Sequence, residues 1–193
     1  QAAGVRNVQV DLGHVGIYRR LIRRLDISPA REDFVFTALQ KKSTSELRMT
    51  LADWNVPGAL AEALLALIDL HGGVEVLDEA REIYASVDPD IVKCVDELRQ
   101  IAGLTLQHVR DASLLFDLAD LRGYNYHNGM MFTAYVQGQG QGIAFGGRYD
   151  DIGRGFGRAR PATGFSADVK LLFDLAAGQQ STRAAIYAPA SSV

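Results

Sequence analysis

The sequence predicts an α+β fold in which a largely antiparallel sheet is flanked by helices. Residues 14–103 carry helix-type spacing of apolar side chains, whereas the period of two that marks strands occurs just before this block and mainly after it. Strands gathered in one region and helices in another are typical of α+β proteins with antiparallel pairing. We therefore expect a helical block between the first strand and the main group of strands.

Length and composition are those of an ordinary globular domain. The 193 residues are 48% hydrophobic and 22% charged, which permits a conventional buried core. The formal net charge of −3 gives no clustered basic face, so we expect no nucleic-acid partner. No apolar run reaches the roughly 18–20 residues that span a bilayer, and the first residues of the sequence do not show the basic-then-apolar pattern of a signal peptide. With a single cysteine, Cys94, and so no internal disulfide, we expect a cytoplasmic protein without a membrane partner.

The first strand is predicted where apolar and polar residues alternate. Val8, Val10 and Leu12 are separated by polar side chains, which is the pattern of a half-buried strand. Gly13 ends this alternation, and helical spacing begins at Val15.

Capping residues predict where helices begin within the helical block. Ser28 and Asp88 each precede a proline, a combination that suits a helix start. Ser43 is followed three residues later by Glu46, which predicts a capping box. A leucine-rich helix is predicted over 59–70.

Beyond Gly103 the sequence becomes richer in β-forming residues. Three glycines separate the clearest strand from the next, which predicts a hairpin. The last strand is expected to feed a helix near 167–177. Strands are predicted at 104–109, 114–119, 131–136, 143–145 and 162–165.

The segment Arg122–Gly129 is the most informative for function. If it enters a strand, alternation places Arg122, Tyr124 and Tyr126 on one face. A guanidinium can hold a carboxylate in a bidentate fork, and tyrosines supply flat walls with a polar tip. This chemistry suits a small amino acid, but the pattern alone favours an ordinary Tyr-rich strand with a surface arginine.

A second segment, residues 145–151, pairs two glycines with charged residues. Gly146 and Gly147 lie at a predicted strand end, where they allow close approach of backbone or ligand. Arg148 and Asp150 are expected to pair and fix the turn. The alternative is a plain Gly-Gly turn.

Motifs for other chemistry are absent from the sequence. The glycines at 138, 140 and 142 and at 153, 155 and 157 lack the strand-to-helix G-x-G-x-x-G spacing of nucleotide loops. The 4 histidines are scattered, with no H-E-x-x-H and no Cys/His cluster. No G-x-S-x-G elbow occurs. We therefore expect no catalytic residue, no metal and no cofactor.

Together, these segments resemble the histidine-binding half of class II histidyl-tRNA synthetases. Residues 122–127 look like that family's Arg-Gly-Leu-Asp-Tyr-Tyr signature, and residues 146–150 like its Gly-Gly-Arg-Tyr-Asp loop. Gly164 and Phe165 look like the start of motif 3. The order and spacing of the segments also match.

This resemblance covers most of residues 1–178 and implies that they form part of a class II synthetase-like core. Residues 179–193 are expected to begin a truncated C-terminal segment. Motif 2 and further histidine-contacting residues of the family would precede Gln1.

The departures from the synthetase pattern point to one branch of the family. Synthetase motif 3 carries a Glu-Arg pair whose arginine binds ATP, and those positions here are Lys170 and Leu171. Leucine offers neither a donor nor a charge to a triphosphate. Residues 11–14, 126–129 and 161–168 are instead similar to the ATP phosphoribosyltransferase regulatory subunits, synthetase paralogues without aminoacylation.

The second resemblance implies a non-enzymatic subunit acting in the first step of histidine biosynthesis. It implies a short-form catalytic ATP phosphoribosyltransferase subunit as partner, L-histidine as feedback effector, and self-association. A fragment of a histidyl-tRNA synthetase, or a paralogue adapted to another ligand, are the alternatives. The residues implied to bind histidine are Arg122, Tyr124, Tyr126, His127, Gly146 and Gly147.

Overall fold

A computed structural model describes residues 5–109, 112–150, 153 and 157–179 of the chain. In chain order its elements are β1 (Val8–His14), α1 (Val15–Leu25), α2 (Pro29–Gln40), α3 (Thr44–Asp53), α4 (Gly58–Asp69), β2 (His71–Gly72), α5 (Val76–Ala85), α6 (Pro89–His108), β3 (Ser113–Asp117), β4 (Met130–Val136), β5 (Ala144–Arg148), β6 (Thr163–Ala167) and α7 (Val169–Gln179).

The strands form one six-stranded sheet in the order β2-β3-β1-β4-β5-β6. Among the described strands, β1 and β3 pair in parallel and the other four pairs are antiparallel. Helices α1 to α6 separate β1 from β3, interrupted by the two-residue strand β2. The predicted α+β class, with its helical block and largely antiparallel sheet, is therefore confirmed.

The two faces of the sheet differ in what covers them. Leu12 lies in register between Phe116 of β3 and Phe132 of β4, and all three contact the main apolar core. Residues in register share a face. The opposite face carries the side chains of the residues that alternate with these along each strand. Asp11 of β1 and Thr133 of β4, which are in register, lie on this second face. This second face bears the candidate site.

The main core is formed by the helical block against the first of these faces. Tyr18, Leu64 and Tyr84 are fully buried in it. The Tyr84 hydroxyl donates to the Ala63 carbonyl at 3.0 Å, so its polar tip is satisfied. Burial of each large apolar side chain stabilises the fold by about 1.5–3 kcal/mol.

The strand predicted at 104–109 is wrong, because α6 continues through Gly103 to His108. Leu104 and Leu106 are 52% and 48% exposed, so no strand among the described residues covers them. Leucine is a good helix former, and the cost of about 1 kcal/mol for one helical glycine does not end a long helix. The Thr105 hydroxyl also donates back to the Ile101 carbonyl at 2.8 Å, as in a continuing helix.

The helix caps follow the sequence only in part. The Asp88 side chain accepts from the Asp90 amide at 2.9 Å, which confirms the predicted cap of α6. The predicted capping box at Ser43 is wrong, since Ser43 makes no side-chain capping bond in the described structure. Its φ and ψ of −83° and 67° depart from the extended conformation that aims a cap side chain at the first turn.

The later elements agree with prediction within a few residues. The predicted hairpin is β4 paired antiparallel with β5, and β6 and α7 follow as expected. Within the described ranges no helix combines the length and hydropathy needed to cross a membrane. The predicted C-terminal segment lies, beyond Gln179, outside the described residues.

Candidate functional site

A cavity of about 540 Å³ lies between the segment after β3 and strands β4 and β5. Its size falls within the roughly 300–1,000 Å³ typical of small-molecule pockets. Polar, aromatic and backbone surfaces are combined in its lining, so it offers both directional and flat contacts. The lining residues are Arg122, Gly123, Tyr126, His127, Met131, Phe132, Thr133, Gln141, Gly142, Phe145 and Gly146.

Residues 122–126 form a turn, so the predicted strand with Arg122, Tyr124 and Tyr126 on one face is wrong. The amides of Tyr126 and His127 both donate to the Gly123 carbonyl at 2.8 Å. Gly123 has a φ of +78°, which a glycine adopts without strain. Because of this turn, the side chains of Arg122 and Tyr126 line the cavity, whereas that of Tyr124 packs against α1 and α2.

Tyr124 anchors the turn to the helical block. Its hydroxyl donates to Glu32 of α2 at 2.7 Å, and its ring packs edge-on against Tyr18 at 5.1 Å. Burial, with the bond to Glu32, raises the pKa of Tyr124 to about 12. Arg19 of α1 stacks on the same ring and donates to the carbonyls of Tyr124 and His127 at 2.5 and 2.8 Å. These contacts fix the backbone that carries the cavity residues.

Arg122 is the cation of the cavity and is held in a fixed orientation. Its Nε and Nη2 donate to the Asp120 carboxylate at 2.9 and 2.5 Å, and its Nη1 donates to the Tyr135 hydroxyl at 2.5 Å. The bonds to Asp120 raise the pKa of Arg122 above its usual range. An arginine has five N–H donors. One donor on each of the three nitrogens is used, so two remain for a ligand.

The ring of His127 is wedged between two glycines. A Cβ on Gly123 would lie 2.5 Å from His127 Nδ1, and one on Gly147 would lie 2.6 Å from Cδ2. Only glycine leaves room for the imidazole at both positions. Burial lowers the pKa of His127, which favours the neutral ring. Its Nδ1 is buried without a hydrogen-bond partner among the described residues.

Tyr126 provides an accessible aromatic wall. It is 53% exposed, and its ring lies 5.0 Å from the ring of Tyr149 and 5.3 Å from that of His127. The three rings therefore form one cluster, and two of them, Tyr126 and His127, line the cavity. Such a cluster can pack against a planar group of a ligand.

The second sequence motif is bonded to the segment that carries the cavity residues. The Arg148 Nε donates to Asp150 at 2.8 and 3.1 Å, which confirms the predicted pair. Asn128 joins this loop to the first segment: its amide donates to the Arg148 carbonyl at 2.9 Å, and its Oδ1 accepts from the Asp150 amide at 3.0 Å.

The structure thus brings most of the sequence-predicted residues together. Arg122, Tyr126, His127 and Gly146 line the cavity, and Gly147 supports His127 from behind. Tyr124 lies outside the lining, against α1 and α2. Prediction from sequence missed three residues that hold the site, because no motif or spacing in the sequence marks their contacts. These are Arg19, Asp120 and Tyr135.

The motif 3 positions lie away from the cavity lining. Leu171 is half-buried and packs with a small apolar cluster that includes Ala134 and Ile143. Lys170 is exposed. Within the part of the chain that the structure describes, no group of three His, Cys, Asp or Glu side chains is placed to hold a metal ion.

The sheet, its flanking helices and the position of the cavity define a class II synthetase-like domain. A solved ATP phosphoribosyltransferase regulatory subunit/histidyl-tRNA synthetase from Bacillus halodurans matches this chain with a TM-score of 0.74 and 25% identity, over 89% of this chain and 45% of that one. The family model for histidyl-tRNA synthetase matches residues 1–172. The chain therefore belongs to the histidyl-tRNA synthetase family.

Within that family the chain is similar to ATP phosphoribosyltransferase regulatory subunits. The subunit of Nitrosococcus oceani is 45% identical over 186 residues, which are 96% of this chain and 46% of that protein. An ATP phosphoribosyl transferase complex from Thermotoga maritima shares the fold, with a TM-score of 0.59 and 20% identity over 83% of this chain and 53% of that one. The chain spans about half the length of the curated relative it matches.

Proposed function

We propose that this chain belongs to a regulatory, non-catalytic subunit of ATP phosphoribosyltransferase in the cytoplasm. In this proposal it associates with a short catalytic subunit, self-associates, and binds free L-histidine in the cavity. The first step of histidine biosynthesis would thereby respond to its end product. The names of the curated relatives support this role over that of a synthetase fragment.

One observation carries the proposal: a cavity of small-molecule size with an oriented cation occurs together with an altered motif 3. Arg122, Tyr126 and His127 surround the cavity. Leu171 replaces the motif 3 arginine and packs against apolar neighbours. A site that keeps amino-acid binding and loses its nucleotide clamp suits an effector better than a substrate for adenylation.

The cavity chemistry matches free histidine. The two remaining Arg122 donors suit an anionic group such as the α-carboxylate, in a charge-assisted pair. Tyr126 supplies packing or a hydrogen bond to the imidazole. Gly146 permits close approach of the ligand to backbone.

Feedback requires that histidine bind one arrangement of the hetero-oligomer more tightly than another. Coupling between two sites typically amounts to about 1–3 kcal/mol, or roughly 5- to 150-fold in affinity. An effect of this size is enough to change the response of a partner subunit.

The direct test is a pull-down with a short-form catalytic subunit, followed by phosphoribosyl-transfer assays with and without histidine. We expect association, stimulation, and inhibition by histidine that Arg122→Gln weakens. Arg48→Gln, which removes an exposed ion pair with Glu62 in the helical block, is the matched control and should leave the response intact. No association, or a histidine response indifferent to Arg122→Gln, would contradict the proposal.

A histidyl-tRNA synthetase fragment is the second candidate, because the family model and the Bacillus halodurans neighbour carry that name. It predicts histidine-dependent ATP–pyrophosphate exchange and binding of tRNA. Our proposal predicts neither. A robust exchange signal, or a tRNA gel shift, would favour the synthetase.

A further inference from the structure

A network of polar contacts links the cavity loops to α6 of the helical block. Glu97 of α6 lies between two partners: its Oε1 is 3.8 Å from Arg148 Nη1, and its Oε2 is 3.4 Å from His14 Nε2. Arg148 is in turn bound to Asp150, which is tied to Asn128 at the end of the cavity turn. The path runs from the end of the cavity turn to α6 in three contacts.

The cavity end of this path is rigidly packed. Gly147 immediately precedes Arg148, and its backbone lies against the His127 ring. A Cβ on Gly129 would lie 2.9 Å from Arg148 Cδ, so the arginine stem packs closely on the other side as well. Any displacement of His127 or of the end of β5 therefore moves Arg148.

At the helix end of the path, Glu97 lies between His14 and Arg148. Both contacts of Glu97 are longer than the 2.7–3.2 Å of ordinary N–H···O hydrogen bonds. His14 is fixed, since it is 4% exposed and its Nδ1 accepts from the Gly16 amide at 3.1 Å to cap α1. Its Nε2 is then the protonated nitrogen that faces Glu97. Arg148, whose side chain is 40% exposed, is the partner that shifts when the end of β5 shifts, and a small shift of it changes which contact Glu97 makes.

Space for that shift is available. Clefts of about 310 and 720 Å³ meet at this point and share Lys93, Glu97 and Arg148 in their linings. The Glu97 side chain is 35% exposed, so its carboxylate reaches solvent and is free to reorient.

We infer that Glu97 is a positioning residue which, through Arg148, holds the Gly146–Gly147 side of the cavity and transmits its occupation to α6. The inference rests on the proposed function only for the identity of the ligand as histidine. Glu97 does not line the cavity, so its effect on the loops is indirect.

The test of positioning needs no ligand: amide hydrogen exchange of the wild-type chain is compared with that of Glu97→Gln. The substitution keeps the shape and removes the charge. We expect exchange at Asn128 and Asp150 to speed up by roughly two- to fivefold, the range for a partly exposed ion pair of up to about 1 kcal/mol. Asp96→Asn is the matched control, because Asp96 precedes Glu97 on α6 but pairs with Arg81.

A second variant separates positioning from a general loss of stability. In an Arg148→Met background, Glu97→Gln should cause no further change at Asn128 and Asp150. Unchanged rates in the single variant would overturn the inference. So would faster exchange spread over the whole chain, or an equal effect of Asp96→Asn.

Transmission is tested by adding histidine to the wild-type chain and to Glu97→Gln. We expect protection at 122–127 in both, and altered exchange in α6 between Lys93 and Ile101 in the wild type alone. Protection of the cavity without a change in α6 would overturn transmission while leaving the proposed function intact. No protection at 122–127 in the wild type would refute histidine binding, and the ligand-free comparison would still decide the positioning role.

Discussion

The helical core and the cavity segment are stabilised by different kinds of interaction. Leu64 and Tyr84 in the core are fully buried and held by apolar packing from many directions. Tyr126 in the cavity segment is 53% exposed, and the Arg122 side chain is 54% exposed. The cavity segment is held by a few directional contacts, such as those of Arg19 to two carbonyl groups.

This difference separates what sets stability from what sets binding. A core substitution should lower the free energy of unfolding without changing the ligand preference of the folded molecules. A cavity substitution should change affinity with little effect on unfolding, except where it forces atoms into one another. Four substitutions test this separation, in order of expected effect.

Leu64→Ala should have the largest effect, because it empties a fully buried position of α4. We expect a loss of about 2–5 kcal/mol in the free energy of unfolding, from lost burial and the cavity left behind. Urea denaturation followed by circular dichroism measures it. A loss below about 1 kcal/mol would contradict the view that this cluster is the main core.

Arg122→Gln should weaken the binding of histidine. Removing a charged partner of a ligand carboxylate costs about 1.5–3 kcal/mol, so histidine affinity should fall roughly 10- to 150-fold in calorimetric titrations. The unfolding free energy should fall by less than in Leu64→Ala, because the Arg122 side chain is largely exposed, although its charged bonds to Asp120 are lost. Arg48→Gln serves again as control, and equal affinity for the two variants would remove Arg122 from the site.

Gly147→Ala should lower the free energy of unfolding although Gly147 lies beside the cavity and not in the helical core. The added Cβ would lie 2.5 Å from the Met130 carbonyl oxygen and 2.6 Å from His127 Cδ2, so backbone or ring must shift. We expect destabilisation of about 1–3 kcal/mol, the usual cost of overpacking, measured by urea denaturation.

Gly140→Ala is the matched control for this substitution, since its Cβ would meet no atom within 4 Å. Its effect should stay within about 0.5 kcal/mol. Equal destabilisation by both substitutions would show that the close packing of His127 against Gly147 is not what requires glycine.

The smallest effect should be a pH dependence that arises from His14. Burial lowers the pKa of His14 in the folded chain below the value of about 6.5 expected when unfolded. The neutral ring is therefore favoured by folding. The contribution of the neutral His14 ring to the free energy of unfolding is complete above about pH 6.5 and is lost as the pH falls below that value.

Thermal unfolding between about pH 7.5 and 5 measures this loss. His14→Asn keeps a side-chain acceptor suited to a helix N-cap but cannot titrate, so its profile should be flatter. The slope that remains is expected from His127, whose pKa is also lowered by burial. His108→Asn, a substitution at an exposed position, is the control and should leave the dependence of thermal unfolding on pH unchanged. If the profile of His14→Asn were as steep as that of the wild type, the assignment to His14 would be contradicted.

Most of the fold follows from periodicity in the sequence. The alternation at Val8, Val10 and Leu12 and the glycine-rich hairpin correctly located β1, β4 and β5. The error at 104–109 arose because leucine and threonine occur in both helices and strands. The sequence does not show that Leu104 is exposed on a helix that continues past Gly103. Register and the parallel β1–β3 pair depend on contacts across the helical block, which local pattern does not encode.

The candidate site was predictable in its residue types but not in its geometry. The motifs located Arg122, Tyr126 and His127 because their spacing resembles a known family. Alternation misplaced Tyr124, because a turn at Gly123 replaces the strand. The supports of the site, Arg19 among them, carry no local signal, since more than one hundred residues separate Arg19 from the carbonyls it binds.

The most direct measurement is a nuclear magnetic resonance titration of the isotope-labelled chain with L-histidine. If histidine occupies the cavity, saturable shifts should appear first in the amides of residues 122–127 and 145–147, which adjoin the cavity in the structure. Arg122→Gln should require much more histidine to produce the same shifts. An unchanged spectrum, or shifts confined to α2 and α3, would contradict a histidine site at this cavity.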